Sequence, residues 1–147
     1  MKKIIMLSVL LLTFILQGCT KVKQYEDFDT YQELDVIFEE WRENRDSYRY
    51  FFIDCRSTSN RKKSCHPYFD YAIDKGELNN ILRGAKENSP IILMGQNEED
   101  QKPYEYKKYL SDKGYTNIVI YITGFENYLT NPDFTPKTNC ATDCGCN

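Results

Sequence analysis

The side chains of this sequence that could do chemistry are mainly thiols, because six cysteines but only one histidine occur in 147 residues. Cys55 is followed by Arg56 and by a basic cluster at positions 61–63. Nearby cations lower the pKa of a thiol and favour its nucleophilic thiolate form. The strongest catalytic candidate is therefore Cys55 as a nucleophile or sulfur carrier, with Arg56 or His66 assisting.

A disulfide is the alternative for Cys55. A bond between Cys55 and Cys65 would close a short loop and stabilise the fold by roughly 2–3 kcal/mol if unstrained. The leader described below would deliver the chain to an oxidising compartment, where thiols are rarely left free. We therefore expect a Cys55–Cys65 disulfide, and we expect His66 to be a loop residue that hydrogen-bonds locally.

The C-terminal tail, residues 132–147, contains Cys140, Cys144 and Cys146. A Cys-x-Cys pair can bind Cu(I) or zinc, which would make the tail a metal or thiol buffer. Three clustered thiols without a nearby histidine match no strong zinc pattern. Disulfides that attach the tail to the domain or to a partner are therefore favoured, and no cofactor is predicted.

The composition is that of one globular domain, with 41% hydrophobic and 28% charged residues. The formal net charge is −3. This mildly acidic balance gives no reason to expect a nucleic-acid partner.

The N-terminus is typical of a targeting segment, with two lysines followed by an apolar run, residues 4–16, that is too short to span a bilayer comfortably. The run ends in Leu16-Gln17-Gly18-Cys19, which resembles a bacterial lipobox. That resemblance implies removal of residues 1–18 and acylation of Cys19, and several acyl chains together give stable membrane anchoring. A cleaved secretory signal with an incidental Cys19 is the alternative.

Residues 19–29 are expected to form a lipidated tether. Thr20 stands where an aspartate would indicate retention in the inner membrane, so the periplasmic face of the outer membrane is favoured. Five cysteines remain once Cys19 is lipidated, so at least one is unpaired within a monomer. An intermolecular disulfide is therefore a further alternative for that cysteine.

The segment Ile91 to Gly95 has no charge and no alternation of polarity, which is typical of a strand buried on both faces of a parallel sheet. Pro90 suits the start of such a strand. A polar loop follows, and Pro103 suits the first turn of the next helix. Functional sites of open α/β sheets lie outside the carboxyl ends of the strands, so residues 95–102 are where an active site is expected.

The remaining pattern predicts an α/β fold with a small, mostly parallel sheet and helices on both faces. Thr30 and Glu33 have the spacing of a helix capping box, and Asp74 and Gly114 are a further start and stop signal. Residues 55–74 are predicted to be long and irregular. The predicted strands are residues 48–54, 91–95 and 118–122. Helices are predicted to begin near residues 31, 75, 103 and 124.

Several short motifs occur in an order that resembles the rhodanese-like family. Ile53-Asp54-Cys55-Arg56 is similar to the family's Asp-x-Arg strand end, Cys65-His66 to its Gly-His, and Ile91 to Gly95 to its active-site strand. Gly114 to Ile118 resembles its Gly-Phe-x-Asn-Val, and Gly124 to Tyr128 its closing Gly-Gly-x-x-x-Trp. The resemblance covers nearly all of the mature domain.

The resemblance runs over residues 30–131 but departs from the family at the catalytic position. In active members this strand ends in a cysteine that carries a persulfide inside a cradle of backbone amides. Here the matching position is Gly95 or, as a less exact match, Met94. The loop then reads Gln96-Asn97-Glu98-Glu99-Asp100, and its three carboxylates would repel a persulfide, a thiosulfate or a phosphate.

We therefore predict a non-catalytic envelope lipoprotein whose rhodanese-like domain binds an envelope partner or helps to build an assembly. A thiol enzyme that uses Cys55 for sulfur transfer or redox work is the alternative. Metal or thiol buffering by the tail cysteines is a lesser one. A run of carboxylates such as Glu98 to Asp100 is most often a solvated loop.

Overall fold

The computed structural model describes residues 21–140. The helices are α1 (Tyr31–Asn44), α2 (Thr58–Lys63), α3 (Lys75–Ile81), α4 (Lys102–Asp112) and α5 (Gly124–Tyr128), and the strands are β1 (Phe51–Asp54), β2 (Asp70–Tyr71), β3 (Ile91–Met94) and β4 (Ile118–Tyr121). The strands form one sheet in the order β2-β1-β3-β4, and every neighbouring pair is parallel. Within this part of the chain, no helix is long and apolar enough to cross a membrane.

The three longer strands are buried along their whole length, as the uninterrupted apolar run of β3 predicts. They pair without offset, so that Asp54, Met94 and Tyr121 lie side by side at their carboxyl ends. The segments that leave β1, β3 and β4 therefore start from one edge of the sheet.

The core has two layers, one on each face of the sheet. The layer under α1 and α5 is rich in aromatic side chains, including Phe28, Phe38, Phe52, Phe69, Tyr121, Phe125 and Tyr128. The layer under α3 and α4 is mainly aliphatic, including Ile53, Leu78, Leu82, Ile91, Leu93, Leu110 and Ile120. The predicted α/β fold class, with a small parallel sheet and helices on both faces, is confirmed.

The predicted helix start and stop signals are present. Thr30 and Glu33 form the capping box of α1, and the Asp74 side chain accepts a hydrogen bond at the start of α3. Pro103 lies in the first turn of α4. Gly114 follows α4 with φ +95°, a left-handed conformation that favours glycine.

Two segments are more ordered than predicted. Residues 55–74, predicted to be irregular, contain α2 and β2. The final part of the predicted tether packs on the sheet, because Phe28 is buried and its N–H donates to the carbonyl of Ile120 at 3.1 Å. The predicted signal peptide, Cys19, Cys144 and Cys146 lie outside the described residues.

Candidate functional site

The loop after β3 lies where the sequence predicts an active site to be. It leaves the sheet at Gly95, which is buried, and leads into α4. The end of β1 and the start of α5 both contact this loop. The first turn of α5 donates backbone hydrogen bonds to the loop, and Nη1 of Arg56, just after β1, donates to Oε1 of Gln96 at 3.4 Å. The structure thus brings together Arg56 and the loop that the family resemblance singled out.

No side chain fits at Gly95, the position that matches the family's cysteine. A Cβ atom there would lie 2.9 Å from Cβ of Asp100 and 2.9 Å from Cγ of Pro103. Contacts this short force the surrounding atoms to move. The packing around Gly95 therefore excludes a side chain, and a cysteine at this position would require a different conformation of the loop.

The carboxylate of Asp100 accepts hydrogen bonds from two backbone amides of this loop. Asp100 Oδ2 accepts a hydrogen bond from the N–H of Gln96 at 3.0 Å, and its Oδ1 accepts one from the N–H of Lys102 at 3.1 Å. Backbone amides that converge in a loop can bind an anion. Here an internal carboxylate accepts from two amides six residues apart, so these two donors are not free for a sulfur anion or a phosphate.

The start of α5 is locked onto the same loop by close backbone packing. The N–H groups of Phe125 and Glu126 donate to the carbonyls of Gly95 and Gln96, each at 3.0 Å. Gly124 has φ +62°, and a Cβ atom on it would lie 2.5 Å from the carbonyl oxygen of Gly95. Only glycine allows this approach.

The outer surface of the loop is acidic. Glu98 and Glu99 are exposed, as expected for a solvated run, whereas Asp100 turns inward. An open depression of about 390 Å³ is lined by Glu98, Glu99 and Glu126 together with Asn97 and Thr123. This negative surface would repel the anions on which a sulfurtransferase acts.

The Asp-x-Arg end of β1 forms a buried ion pair. Nε and Nη2 of Arg56 donate to the two carboxylate oxygens of Asp54 at 3.0 and 2.9 Å, and neither residue is more than 1% exposed. Arg61 of α2 adds a second ion pair to Asp54 at 2.9 Å. The guanidinium of Arg56 also lies 3.8 Å from the centre of the Phe125 ring. Arg56, predicted to assist Cys55, instead joins β1 to α5.

Cys55 is completely buried in the layer under α3 and α4. Burial raises the pKa of its thiol well above the usual range, and the charges of Asp54 and Asp100 raise it further, because a thiolate is disfavoured away from water and beside negative charge. The prediction that the basic cluster lowers this pKa is wrong, since Arg56 and Arg61 both pair with Asp54. A buried, neutral thiol is a poor nucleophile.

The disulfide joins Cys65 to Cys140, 75 residues apart, and not Cys65 to Cys55. The expected Cys55–Cys65 bond is wrong because Cys55 faces the layer under α3 and α4. Cys65 instead exchanges two backbone hydrogen bonds with Lys137, at 2.9 and 3.1 Å. The prediction that a disulfide attaches the tail to the domain is confirmed for Cys140. Cys55 is the only unpaired cysteine within residues 21–140.

His66 is a loop residue with a local hydrogen bond, as predicted, because its Nδ1 accepts from the N–H of Tyr68 at 3.2 Å. It is also 3% exposed and stacks between the rings of Phe38 and Phe134, each 5.0 Å away. Burial lowers the pKa of His66 to about 4. The imidazole is therefore a neutral part of the aromatic layer and does not approach Cys55 in the opposite layer.

Sequence reasoning missed the groups that close this edge: the inward carboxylate of Asp100, the second cation Arg61 and the left-handed Gly124. A signal for Asp100 exists, since it stands just before the helix that carries Pro103, and carboxylates at helix starts accept unpaired amides. No sequence pattern pairs Arg61 with Asp54. Within residues 21–140, no three acidic, histidine or cysteine side chains are grouped so that they could hold a metal ion.

Comparison of the sequence with models of protein families gives no match, and comparison with curated proteins gives none. The rhodanese-like assignment therefore stays a prediction from the short motifs. Because one α/β architecture serves many unrelated functions, the function must be argued from the site itself.

Proposed function

We propose that this protein is a membrane-anchored envelope lipoprotein whose rhodanese-like domain is not a sulfurtransferase and serves binding or assembly. The observation that carries the proposal is the filled loop after β3. Gly95 leaves no room for a side chain, and Asp100 already accepts hydrogen bonds from two backbone amides of the loop, those of Gln96 and Lys102. Sulfur transfer requires an accessible thiolate, and Cys55 is buried with a raised pKa.

Three features support the rhodanese-like part of the proposal. The all-parallel sheet agrees with the family's architecture, the Asp54-x-Arg56 strand end lies at the expected edge, and the loop after β3 lies beside it. These features support a rhodanese-like scaffold that lacks a nucleophile at the position matching the family's cysteine, and such a scaffold suits a binding role.

The lipobox-like Leu16-Gln17-Gly18-Cys19 supports the membrane anchor. The anchor would hold the domain close to the membrane, since the described chain already packs on the sheet at Tyr25 and Phe28. Metabolic labelling with a radioactive fatty acid tests it: the natural protein is expected to incorporate the label and the Cys19→Ser variant is not. Equal labelling of the two proteins, or no labelling of the natural one, would contradict lipid anchoring at Cys19.

A thiosulfate:cyanide sulfurtransferase assay tests the absence of sulfur chemistry. The full chain in detergent and its Cys55→Ser variant are both expected to form thiocyanate no faster than buffer, and an active sulfurtransferase in the same detergent serves as the positive control. Turnover by the natural protein that disappears in the variant would identify Cys55 as a sulfur carrier and overturn the proposal.

A further inference from the structure

A second depression, away from the loop after β3, lies beside α1. Its volume is about 270 Å³, and it is bounded by α1, the turn that precedes β2, α5 and the segment that follows α5. The disulfide between Cys65 and Cys140 attaches that last segment to the domain. We call this depression the α1 cleft. Four separate parts of the chain build it, and one of them is fixed covalently.

The interior of the α1 cleft is aromatic. Phe38 and Tyr128 are buried, and the Tyr128 and Phe134 rings meet edge to face with centres 4.7 Å apart. Tyr68 forms one wall and remains 45% exposed, although its ring lies 5.3 Å from that of Phe38. Aromatic faces are electron-rich and attract cations that come within about 6 Å of the ring centre.

The rim of the α1 cleft is negatively charged. Asp35 accepts hydrogen bonds from the hydroxyl of Tyr128 at 2.6 Å and from Nδ2 of Asn131 at 3.1 Å, which fix its carboxylate at the edge of the aromatic floor. Asp133 lies across the cleft and is exposed. Among the residues that the structure describes, no cationic side chain forms an ion pair with Asp35 or Asp133.

One cation of the chain, Arg42, already lies on the rim of the α1 cleft. Arg42 pairs with Glu39 on α1, and its guanidinium lies 5.9 Å from the centre of the Tyr68 ring. That ion pair leaves the carboxylates of Asp35 and Asp133 without a positive partner. The cleft therefore combines uncompensated negative charge with aromatic walls, which together suit a cation attached to an apolar stem.

We infer that the α1 cleft binds an arginine or lysine side chain presented by a basic segment of a protein partner. Charge complementarity carries the choice, since opposite charges steer partners together and select among them. The volume agrees with it, because about 270 Å³ is below the roughly 300–1,000 Å³ that usually encloses a whole small molecule. The inference deepens the proposed binding function and rests on it.

The single tryptophan of the chain provides the readout. The ring of Trp41 lies 5.5 Å from that of Tyr68, so its fluorescence is expected to change when the cleft is filled. The full-length protein in detergent is titrated at low salt with the capped peptide acetyl-Gly-Ser-Arg-Ser-Gly-amide. The same peptide with citrulline, which has nearly the same shape without the charge, is the first control.

Saturable binding of the arginine peptide, at least fivefold tighter than that of the citrulline peptide and weakened by salt, is the expected result. Asp133→Asn and Asp35→Asn are each expected to weaken it about three- to tenfold, because each removes one charge and keeps the side chain's shape. Glu105→Gln, an exposed position on α4 over the opposite face of the sheet, is the matched control and should bind like the natural protein.

Equal binding of the two peptides, equal affinity of Asp133→Asn and the natural protein, or no saturable signal would overturn the inference. Agmatine, a small free guanidinium compound, separates the two sources of the cation. If agmatine saturates the cleft and the peptide does not, the site takes a free amine and the partner segment is wrong. The proposed function fails separately, through thiocyanate formation, which the cleft titration does not measure.

Discussion

The loop after β3 and the α1 cleft both carry carboxylates, but Asp100 is enclosed by its own loop, whereas the carboxylates of the α1 cleft line an open depression. Asp100 turns into its loop and accepts two backbone amides at 3.0 and 3.1 Å. Asp35 and Asp133 instead face a depression of about 270 Å³ and have no cation beside them in the described structure. The difference lies in exposure: Asp35 also accepts hydrogen bonds, from Tyr128 and Asn131, but it lines an open depression, and Asp133 is exposed.

That comparison explains why the site suggested by family resemblance is the less promising one. Asp100 has little to gain from a ligand, because binding would first have to break its hydrogen bonds to the amides of Gln96 and Lys102. The exposed Asp133 forms no ion pair in the described structure, so its charge remains available to a partner. Function is therefore better sought at the α1 cleft than at the loop where the sequence predicts an active site to be.

The largest expected effect comes from breaking the ion pair that closes the β1 edge. Asp54→Asn keeps the shape but leaves Arg56 buried without its carboxylate partner, so it should lower the free energy of unfolding by about 3–5 kcal/mol. Asp112→Asn, which breaks the exposed pair with Lys108, should cost about 0.5 kcal/mol or less. Urea unfolding of both variants measures the difference, and equal losses would show that the buried pair has no special role.

The close approach of α5 to the loop predicts the next effect. Gly124→Ala combines an unfavourable φ of +62° with a Cβ atom 2.5 Å from the carbonyl oxygen of Gly95, so a loss of about 2–4 kcal/mol is expected. Gly84→Ala is the control, since Gly84 has φ +83° but nothing within 4 Å of its Cβ. It should lose only about 1 kcal/mol. If the two variants lose the same free energy of unfolding, measured by heat or urea, the loop after β3 accommodates the added Cβ atom without strain.

The aromatic layer beneath the α1 cleft predicts a pH dependence. Burial lowers the pKa of His66 from 6.5 to about 4, with Arg56 lowering it and Asp54 raising it. Between these values the unfolded chain binds a proton that the folded chain does not, so stability is fully present above pH 6.5 and falls as the pH drops towards 4. The loss should be about 2–3 kcal/mol, at roughly 1.4 kcal/mol for each pH unit.

Other groups titrate in the same range, so the control for this prediction is His66→Phe, which keeps an aromatic ring between Phe38 and Phe134. Its free energy of unfolding, measured by urea at pH 4.5 and at pH 7, should fall by less than that of the natural protein. Parallel pH curves for the two proteins would show that His66 is not the group responsible.

Local patterns in the sequence were sufficient for the scaffold. An uninterrupted apolar run predicted β3, because strands buried on both faces of a parallel sheet are rich in apolar residues. Thr30, Asp74 and Gly114 predicted helix ends, because capping satisfies backbone groups within a few residues. The absence of a thiol at Gly95 was likewise readable from one position. Each of these signals depends on neighbours in the chain.

Contacts between distant residues were decided only by the tertiary structure. The sequence could not choose Cys140 over Cys55 as the partner of Cys65, because 75 residues separate the bonded pair and the face on which each cysteine lies depends on packing. Nor could it show that Arg61 and Arg56 neutralise Asp54 instead of activating Cys55. The sequence by itself determined the three longer strands and four of the five helices, but not α2 or β2, and it determined that Gly95 has no sulfur. The folded chain decided which charges meet a partner, because electrostatic energy depends on distance through space and not along the chain.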